Sequence, residues 1–125
     1  MASGPQPAKR ELTQRDRANL FHAAVAIVEV EYARELDLDE LARRVACSRR
    51  QLQRCYAEIG KTTYRTHLIA VRMKHAAELL AESDMNVCDV ADSVGYRQPA
   101  QFAKAFRRHY EMTPTAYRDR RRPPS

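Results

Sequence analysis

The segment LDELARRVACSRRQLQRCY, residues 38–56, recurs later in the chain as VCDVADSVGYRQPAQFAKAF, residues 87–106. In both copies, a short run with apolar residues at helical spacing leads to a small residue, Ala46 or Gly95, and then to a second run. A small residue permits a sharp reversal of the backbone. Short helix, tight turn and second helix is the order of a helix-turn-helix unit, so the repeat predicts two such units.

The two copies align without a gap up to the turn and then shift by one residue. Aligned pairs before the shift are Leu38/Val87, Leu41/Val90, Ala42/Ala91, Val45/Val94 and Ala46/Gly95, and those after it are Leu52/Phe102, Arg54/Lys104 and Tyr56/Phe106. The extra residue falls in the turn, where an insertion is tolerated. One such pattern also fits a plain helical bundle with charged outer faces, but two copies in register favour helix-turn-helix units.

Capping and turn residues divide the rest of the chain into helices. A capping residue followed three positions later by a polar partner marks a helix start, and the pairs are Thr13/Asp16, Asp37/Glu40 and Ser48/Gln51. Further starts are predicted at Asn86, Gln98-Pro99 and Thr113-Pro114, and a helix stop at Gly60. We expect an all-α fold of about seven helices, with two helix-turn-helix units joined by a long central helix.

The chain is expected to consist of five segments. They are a flexible lead (1–12), a first helix-turn-helix subdomain (13–61), a linker helix (62–81), a second subdomain (82–118) and a basic tail (119–125). The arginines from Arg118 onward either add nonspecific affinity for phosphates or keep the chain soluble.

The charge balance suggests a polyanionic partner. The 125 residues contain 22 Lys and Arg against 16 Asp and Glu, a formal net charge of +6. Arginine greatly outnumbers lysine, which suits bidentate contacts to phosphate and guanine, although a GC-rich genome would produce the same bias. Since the chain has neither a signal-peptide pattern nor an apolar run of about 18 residues, we expect a cytoplasmic, nucleoid-associated protein.

Metal and catalytic chemistry find little support in the sequence. The cysteines Cys47, Cys55 and Cys88 have no zinc-ligand spacing, and the four histidines are scattered. We therefore expect no metal, no cofactor and buried or half-buried thiols. The chain has no nucleophile–base pair and no Gly-rich phosphate loop, so we expect that it is not an enzyme.

The second helix of each unit carries the candidate DNA contacts. In the first unit, Arg50, Gln53 and Arg54 are expected to contact bases, since Arg can bind guanine and Gln adenine in the major groove. Arg49 is expected to contact phosphate. In the second unit, the expected base contacts are Gln98, Ala100 and Lys104, with phosphate contacts from Arg107 and Arg108. Each of these side chains is alternatively a phosphate contact or solvated surface.

Residues 87–118, VCDVADSVGYRQPAQFAKAFRRHYEMTPTAYR, carry the most specific pattern in the chain. Together with Leu52, Arg54, Gly60 and Leu68, they resemble the DNA-binding domain of the AraC/XylS regulators. The resemblance covers residues 36–118. The chain departs from that pattern at Glu111 and Ala46, where the family usually has Gly, and at Met112, which replaces a smaller aliphatic residue.

The resemblance implies a transcription regulator, expected to be an activator that contacts RNA polymerase. The chain resembles standalone members of the MarA/SoxS type, or an excised DNA-binding domain of a larger ligand-responsive regulator. A linker helix near 28 Å long would allow a monomer to place two recognition helices in successive major grooves, ~34 Å apart. Arg72 is expected to brace the two halves. A protein-interaction module that does not bind DNA remains the alternative.

Overall fold

The computed structural model describes residues 12–122, and this part of the chain contains helices and no β-strand. The helices are α1 (Gln14–Glu31), α2 (Leu38–Arg44), α3 (Arg49–Cys55), α4 (Tyr64–Glu82), α5 (Val87–Ser93), α6 (Pro99–Tyr110) and α7 (Pro114–Arg121). A π-helical turn, Tyr56–Gly60, continues α3. The prediction of an all-α fold with two helix-turn-helix units and a long central helix is confirmed.

The described chain packs as two units. The first contains residues 12–30 and 36–64, with nearly all of α1 and with α2, α3 and the π turn. The second contains residues 31–35 and 65–122, with nearly all of α4 and with α5, α6 and α7. Each unit therefore holds one copy of the repeated sequence.

Polar side chains cap the helices where the sequence predicted. Ser48 Oγ accepts from the Gln51 N–H, and Gln51 Oε1 accepts from the Ser48 N–H, both at 3.0 Å. Asp37 and Asn86 each accept one backbone N–H at 2.8 Å, at the starts of α2 and α5. A cap of this kind contributes about 1 kcal/mol, so the starts of α2, α3 and α5 are fixed locally.

The turns of the two units close with the same backbone pattern. The Cys47 N–H donates to the Ala42 carbonyl, and the Tyr96 N–H donates to the Ala91 carbonyl, each at 2.9 Å. A residue with positive φ precedes each donor. This is the hydrogen-bond pattern of a Schellman-type helix end, so the internal repeat extends to the backbone.

Gly60 has a different role from the one expected. The left-handed residue that ends the π turn is Lys61, with φ of 56°, while Gly60 remains inside the turn. A Cβ on Gly60 would lie only 2.6 Å from Cε1 of Phe21. A side chain at position 60 would therefore require the Phe21 ring to move, and Lys61 instead of Gly60 provides the left-handed residue that the sequence predicted at this helix end.

Each unit has its own apolar core. The first core consists of Ala24, Val28, Leu36, Leu41, Ala42, Leu52, Cys55 and Tyr56. The second consists of Met73, Ala76, Ala77, Leu80, Val90, Ala91, Val94, Phe102 and Phe106. One face of α3 and one face of α6 are committed to these cores, which leaves the opposite faces available.

Arginines in and directly after α7 stabilise the connection between α4 and α5. Arg118 donates to the carbonyl of Leu80 at 2.9 Å and also to those of Ser83 and Met85. Arg122, which the sequence assigned to a basic tail, donates to the Ser83 carbonyl and to Asp84, both at 2.7 Å. Cations at the C-terminal end of α4 are also favoured by its dipole, so these two arginines have structural partners.

Candidate nucleic-acid interface

The outer face of α3 brings the first set of predicted residues together. Leu52 and Cys55 are fully buried, and this fixes the rotation of the short helix. The side chains on the other side, Arg49, Arg50, Gln53 and Arg54, are all exposed. Because residues four apart lie one above the other on a helix, Arg50 and Arg54 form one row and Arg49 and Gln53 the next.

The three arginines on this face differ in their ion pairs. Arg54 Nε lies 2.6 Å from Glu58 Oε2, and Arg49 Nη1 lies 3.3 Å from Asp39 Oδ2. Within residues 12–122, Arg50 forms no ion pair. Among the three arginines, Arg50 is therefore the one that can bind a ligand without first breaking an ion pair.

Glu58 is a residue that the sequence analysis missed. Its Oε1 lies 2.9 Å from Arg17 Nε of α1, which forms an ion pair without the alignment of a hydrogen bond. The hydrogen bond from Arg54 and the charges of Arg54 and Arg17 hold the pKa of Glu58 below its usual range. The four-residue spacing of Arg54 and Glu58 could have indicated their pair, whereas Arg17 is too distant in sequence.

The outer face of α6 carries the second set. Phe102 and Phe106 are fully buried, while Gln98, Ala100, Lys104, Arg107 and Arg108 are exposed. Pro99 occupies the first turn as predicted. In the described chain, Lys104, Arg107 and Arg108 form no ion pair. The three cations of this face therefore differ from Arg49 and Arg54 of α3, each of which has a carboxylate partner.

Arg72 braces the second unit from inside. Its Nε donates to the Tyr32 carbonyl at 2.8 Å and its Nη2 to the Arg34 carbonyl at 3.2 Å. Its guanidinium carbon lies 5.6 Å from the centre of the Tyr96 ring. These contacts agree with the predicted structural role, although they all lie within one unit.

The cysteines have three different environments. Cys55 is buried and Cys47 half-buried, as expected, but Cys88 is exposed, so the expectation is wrong for that thiol. Burial raises the pKa of the Cys55 thiol, and the charge of Arg17 partly opposes this rise. Burial also raises the pKa of Cys47.

Residues 12–122 contain neither a metal-binding cluster nor a membrane-spanning helix. No group of three or more His, Cys, Asp or Glu side chains is arranged to hold a metal ion. None of the helices in the same range is long and apolar enough to cross a membrane.

Comparison with protein families gives a match over most of the chain. A family model described as a helix-turn-helix domain matches residues 41–120, which includes both turns and both candidate helices. Among curated proteins, the chain is 32% identical to the HTH-type transcriptional regulator GlxA of Rhizobium meliloti, over 78% of this chain and 30% of that protein. The chain spans about a third of the length of the curated relatives that it matches first.

Solved structures give the same result. A regulator with an AraC-type DNA-binding domain from Chromobacterium violaceum superimposes with a TM-score of 0.80 at 25% identity, covering 86% of this chain and 96% of that one. The DNA-binding domain of AdpA, solved in complex with a target DNA, superimposes with a TM-score of 0.71 at 30% identity, covering 87% of this chain and 97% of that one.

Proposed function

Because this chain belongs to the AraC-type helix-turn-helix family of transcription regulators, we propose that it binds a specific double-stranded DNA site through α3 and α6. The observation that carries this proposal is the structural repeat. Two equivalent turns each lead into a helix with one face buried and the opposite face exposed and basic. An exposed helix after such a turn is the element that enters a major groove.

In the first unit, we assign base contacts to Arg50, Gln53 and Arg54. These side chains are exposed on one face of α3 and have donor geometries that suit guanine and adenine edges. Arg49 is assigned to a phosphate, because its pairing with Asp39 draws it towards α2.

In the second unit, we assign groove contacts to Gln98, Ala100 and Lys104 at the start and middle of α6. Arg107 and Arg108, further along the same helix, are assigned to phosphates. Lys104 and Arg108 are like charges four residues apart, and such a pair destabilises a helix. An anion such as a DNA phosphate bound beside the two side chains would relieve this repulsion.

Assembly, location and activation complete the proposal. With two recognition helices in one chain, a monomer suffices for an asymmetric site, and we propose that the protein acts as a monomer on the nucleoid. Activation through contact with RNA polymerase rests on the family resemblance alone. The same function is compatible with a chain that forms part of a longer, ligand-responsive regulator.

Affinity measured over a series of salt concentrations tests DNA binding and distinguishes it from the function of a protein-interaction module. With roughly 6–10 phosphate contacts, affinity for a duplex should fall ~10³–10⁵-fold between 50 and 200 mM salt. Arg107→Ala should reduce the slope by about one unit. Lys74→Ala, which removes an exposed cation from α4 outside the candidate faces, should leave the slope unchanged. Salt-independent binding, or none, would favour the protein-interaction module.

A further inference from the structure

A half-open groove of about 620 Å³ lies within the second unit, beside the candidate DNA-binding face of α6. One wall is the first part of α4, from Arg65 to Ala70, and the other is α6, with Tyr96 of the turn between them. This volume falls in the range of sites that hold a small molecule, ~300–1,000 Å³.

The rim of the groove is cationic. Arg65, Lys104 and Arg108 line it together with His109, and no carboxylate is among the residues that line it. Arg65, like Lys104 and Arg108, forms no ion pair within residues 12–122. Three cations that line one groove, with no carboxylate among the lining residues, repel one another, and an anion bound at the rim would be attracted by each of them.

The internal repeat shows that this charge pattern is particular to the second unit. Lys104 and Arg108 occupy the positions that Arg54 and Glu58 occupy in the first unit. In the first unit, the carboxylate of Glu58 pairs with Arg54 at 2.6 Å. The second unit has the cation Arg108 in place of that carboxylate, so it has no counterpart of the pair between Arg54 and Glu58.

The floor of the groove is apolar. Ile69 and Ala70 of α4 and Ala105 of α6 are half-buried along it. The Tyr96 ring closes one end, packed edge-on against Phe102 with 5.6 Å between ring centres. Burial raises the pKa of the Tyr96 hydroxyl, and the charges of Arg72 and Arg65 oppose this rise.

We propose that this groove binds a small amphiphilic anion, a carboxylate on an aromatic or branched apolar body, and that the bound anion weakens DNA binding. A backbone phosphate would use the cationic rim and leave the apolar floor unoccupied. An amphiphilic carboxylate covers both, with its charge at Arg65, Lys104 and Arg108 and its apolar body over Ile69 and Ala105. The effect on DNA rests on the proposed function, because Lys104 belongs to the groove and to the DNA-binding face.

A titration with 2-naphthoate tests the site without DNA. We expect saturable binding, with amide shifts in NMR spectra at Thr66, Ile69 and Ala105. The neutral isostere naphthalene-2-carboxamide should bind about tenfold more weakly or worse, because it lacks the charge. Arg65→Ala should weaken naphthoate binding by a similar factor, while Lys74→Ala should not. If Arg65→Ala does not fold, Ile69→Asn at the floor gives the second test. Lack of saturation up to about 1 mM, or equal binding of acid and amide, overturns the proposal.

Competition with a labelled duplex then tests the regulatory part. Added naphthoate should raise the apparent Kd of the wild type for DNA and have little effect on that of Arg65→Ala. Naphthoate binding with no effect on DNA overturns this part. A loss of DNA affinity in Arg65→Ala, with no naphthoate binding by the wild type, makes the groove a phosphate contact and also overturns the proposal. Failure of all duplex binding with naphthoate binding intact would refute the proposed function and leave the anion site standing.

Discussion

Ala46 and Gly95 occupy the same left-handed position in the two turns, with φ of 61° and 100°. Gly adopts this region at no steric cost, whereas a residue with a Cβ is strained there by roughly 1–2 kcal/mol. The first turn therefore holds strain that the second avoids.

Ala46→Gly should stabilise the protein. Relief of the strain exceeds the entropy that Gly adds to the unfolded chain, for a net gain of about 0.5–1 kcal/mol. Gly95→Ala should destabilise it, because the new Cβ would lie 2.9 Å from the Ala33 carbonyl oxygen and 3.0 Å from Arg72 Cζ. Urea denaturation of both variants checks the signs, and a destabilised Ala46→Gly would contradict this account of the turn.

Because Arg54 and Glu58 form an ion pair, we expect Glu58→Gln to strengthen DNA binding and to reduce its sequence specificity. The change removes a negative charge beside the proposed DNA-binding face and releases the Arg54 guanidinium, which pairs with the carboxylate at 2.6 Å. We expect a few-fold gain in affinity for random duplexes and a smaller difference between specific and random sites. Fluorescence anisotropy with both kinds of duplex measures this, and an unchanged ratio would exclude an orienting role.

The same pair has a defined pH dependence. The pKa of Glu58 is lowered in the folded protein by Arg54 first and then by Arg17. The contribution of the ion pair to the stability of the folded protein is therefore fully present above the unfolded pKa of a glutamate. It is lost as the pH falls through the lower folded value. The orienting effect on Arg54 should thus be constant around neutral pH and be lost only in acid. The ratio of the affinities for specific and random duplexes measures this effect, and a ratio that changes between pH 6 and 8 because of Glu58 would contradict the prediction.

Reactivity of the thiols should follow their exposure. Cys88 is exposed and Cys55 buried with a raised pKa, so iodoacetamide should modify Cys88 first and leave Cys55 unmodified in the folded protein. Replacement of all three cysteines by Ser or Ala should leave DNA affinity within a few fold if the variant folds. Binding that is lost on mild oxidation and restored by a reductant would show that a cysteine is a switch.

Sequence reasoning succeeded where the determining interaction is local. The caps at Ser48 and Asn86 each join residues three apart, and the repeat that predicts both turns can be read along the chain. Burial on α3 and α6 follows from the same helical spacing. The exposed faces were therefore predictable, although which of their side chains touches DNA stays a prediction.

The features that sequence reasoning missed depend on contacts between distant residues. The Phe21 ring lies against Gly60 although the two residues are far apart in sequence, and nothing in the local pattern shows that approach. Arg118 and Arg122 bind carbonyls near Ser83, more than 30 positions away. A basic run near the end of a chain looks the same in sequence whether its arginines bind carbonyls or remain in solvent.

The two units should contribute unequally to sequence discrimination. In the first, Arg50, Gln53 and Arg54 can all hydrogen-bond base edges, while in the second Ala100 can contact only a thymine methyl. Arg54→Ala should cost ~1–3 kcal/mol on the specific site and relax preference there, whereas Arg107→Ala, at an assigned phosphate contact, should weaken all sequences about equally. Selection from randomised DNA with each variant tests this. The prediction is contradicted if the selected sequences are as strongly conserved in the half-site bound by α6 as in the half-site bound by α3.

The most direct test of the central claim is a hydroxyl-radical footprint on a selected site, with the protein shown by sedimentation to be a monomer. If α3 and α6 each enter a major groove of one duplex, a single bound chain should protect two segments whose centres lie about 10 base pairs apart. Arg50→Ala and Arg107→Ala should weaken different segments. One protected segment, or two that appear only when two chains are bound, would contradict the account.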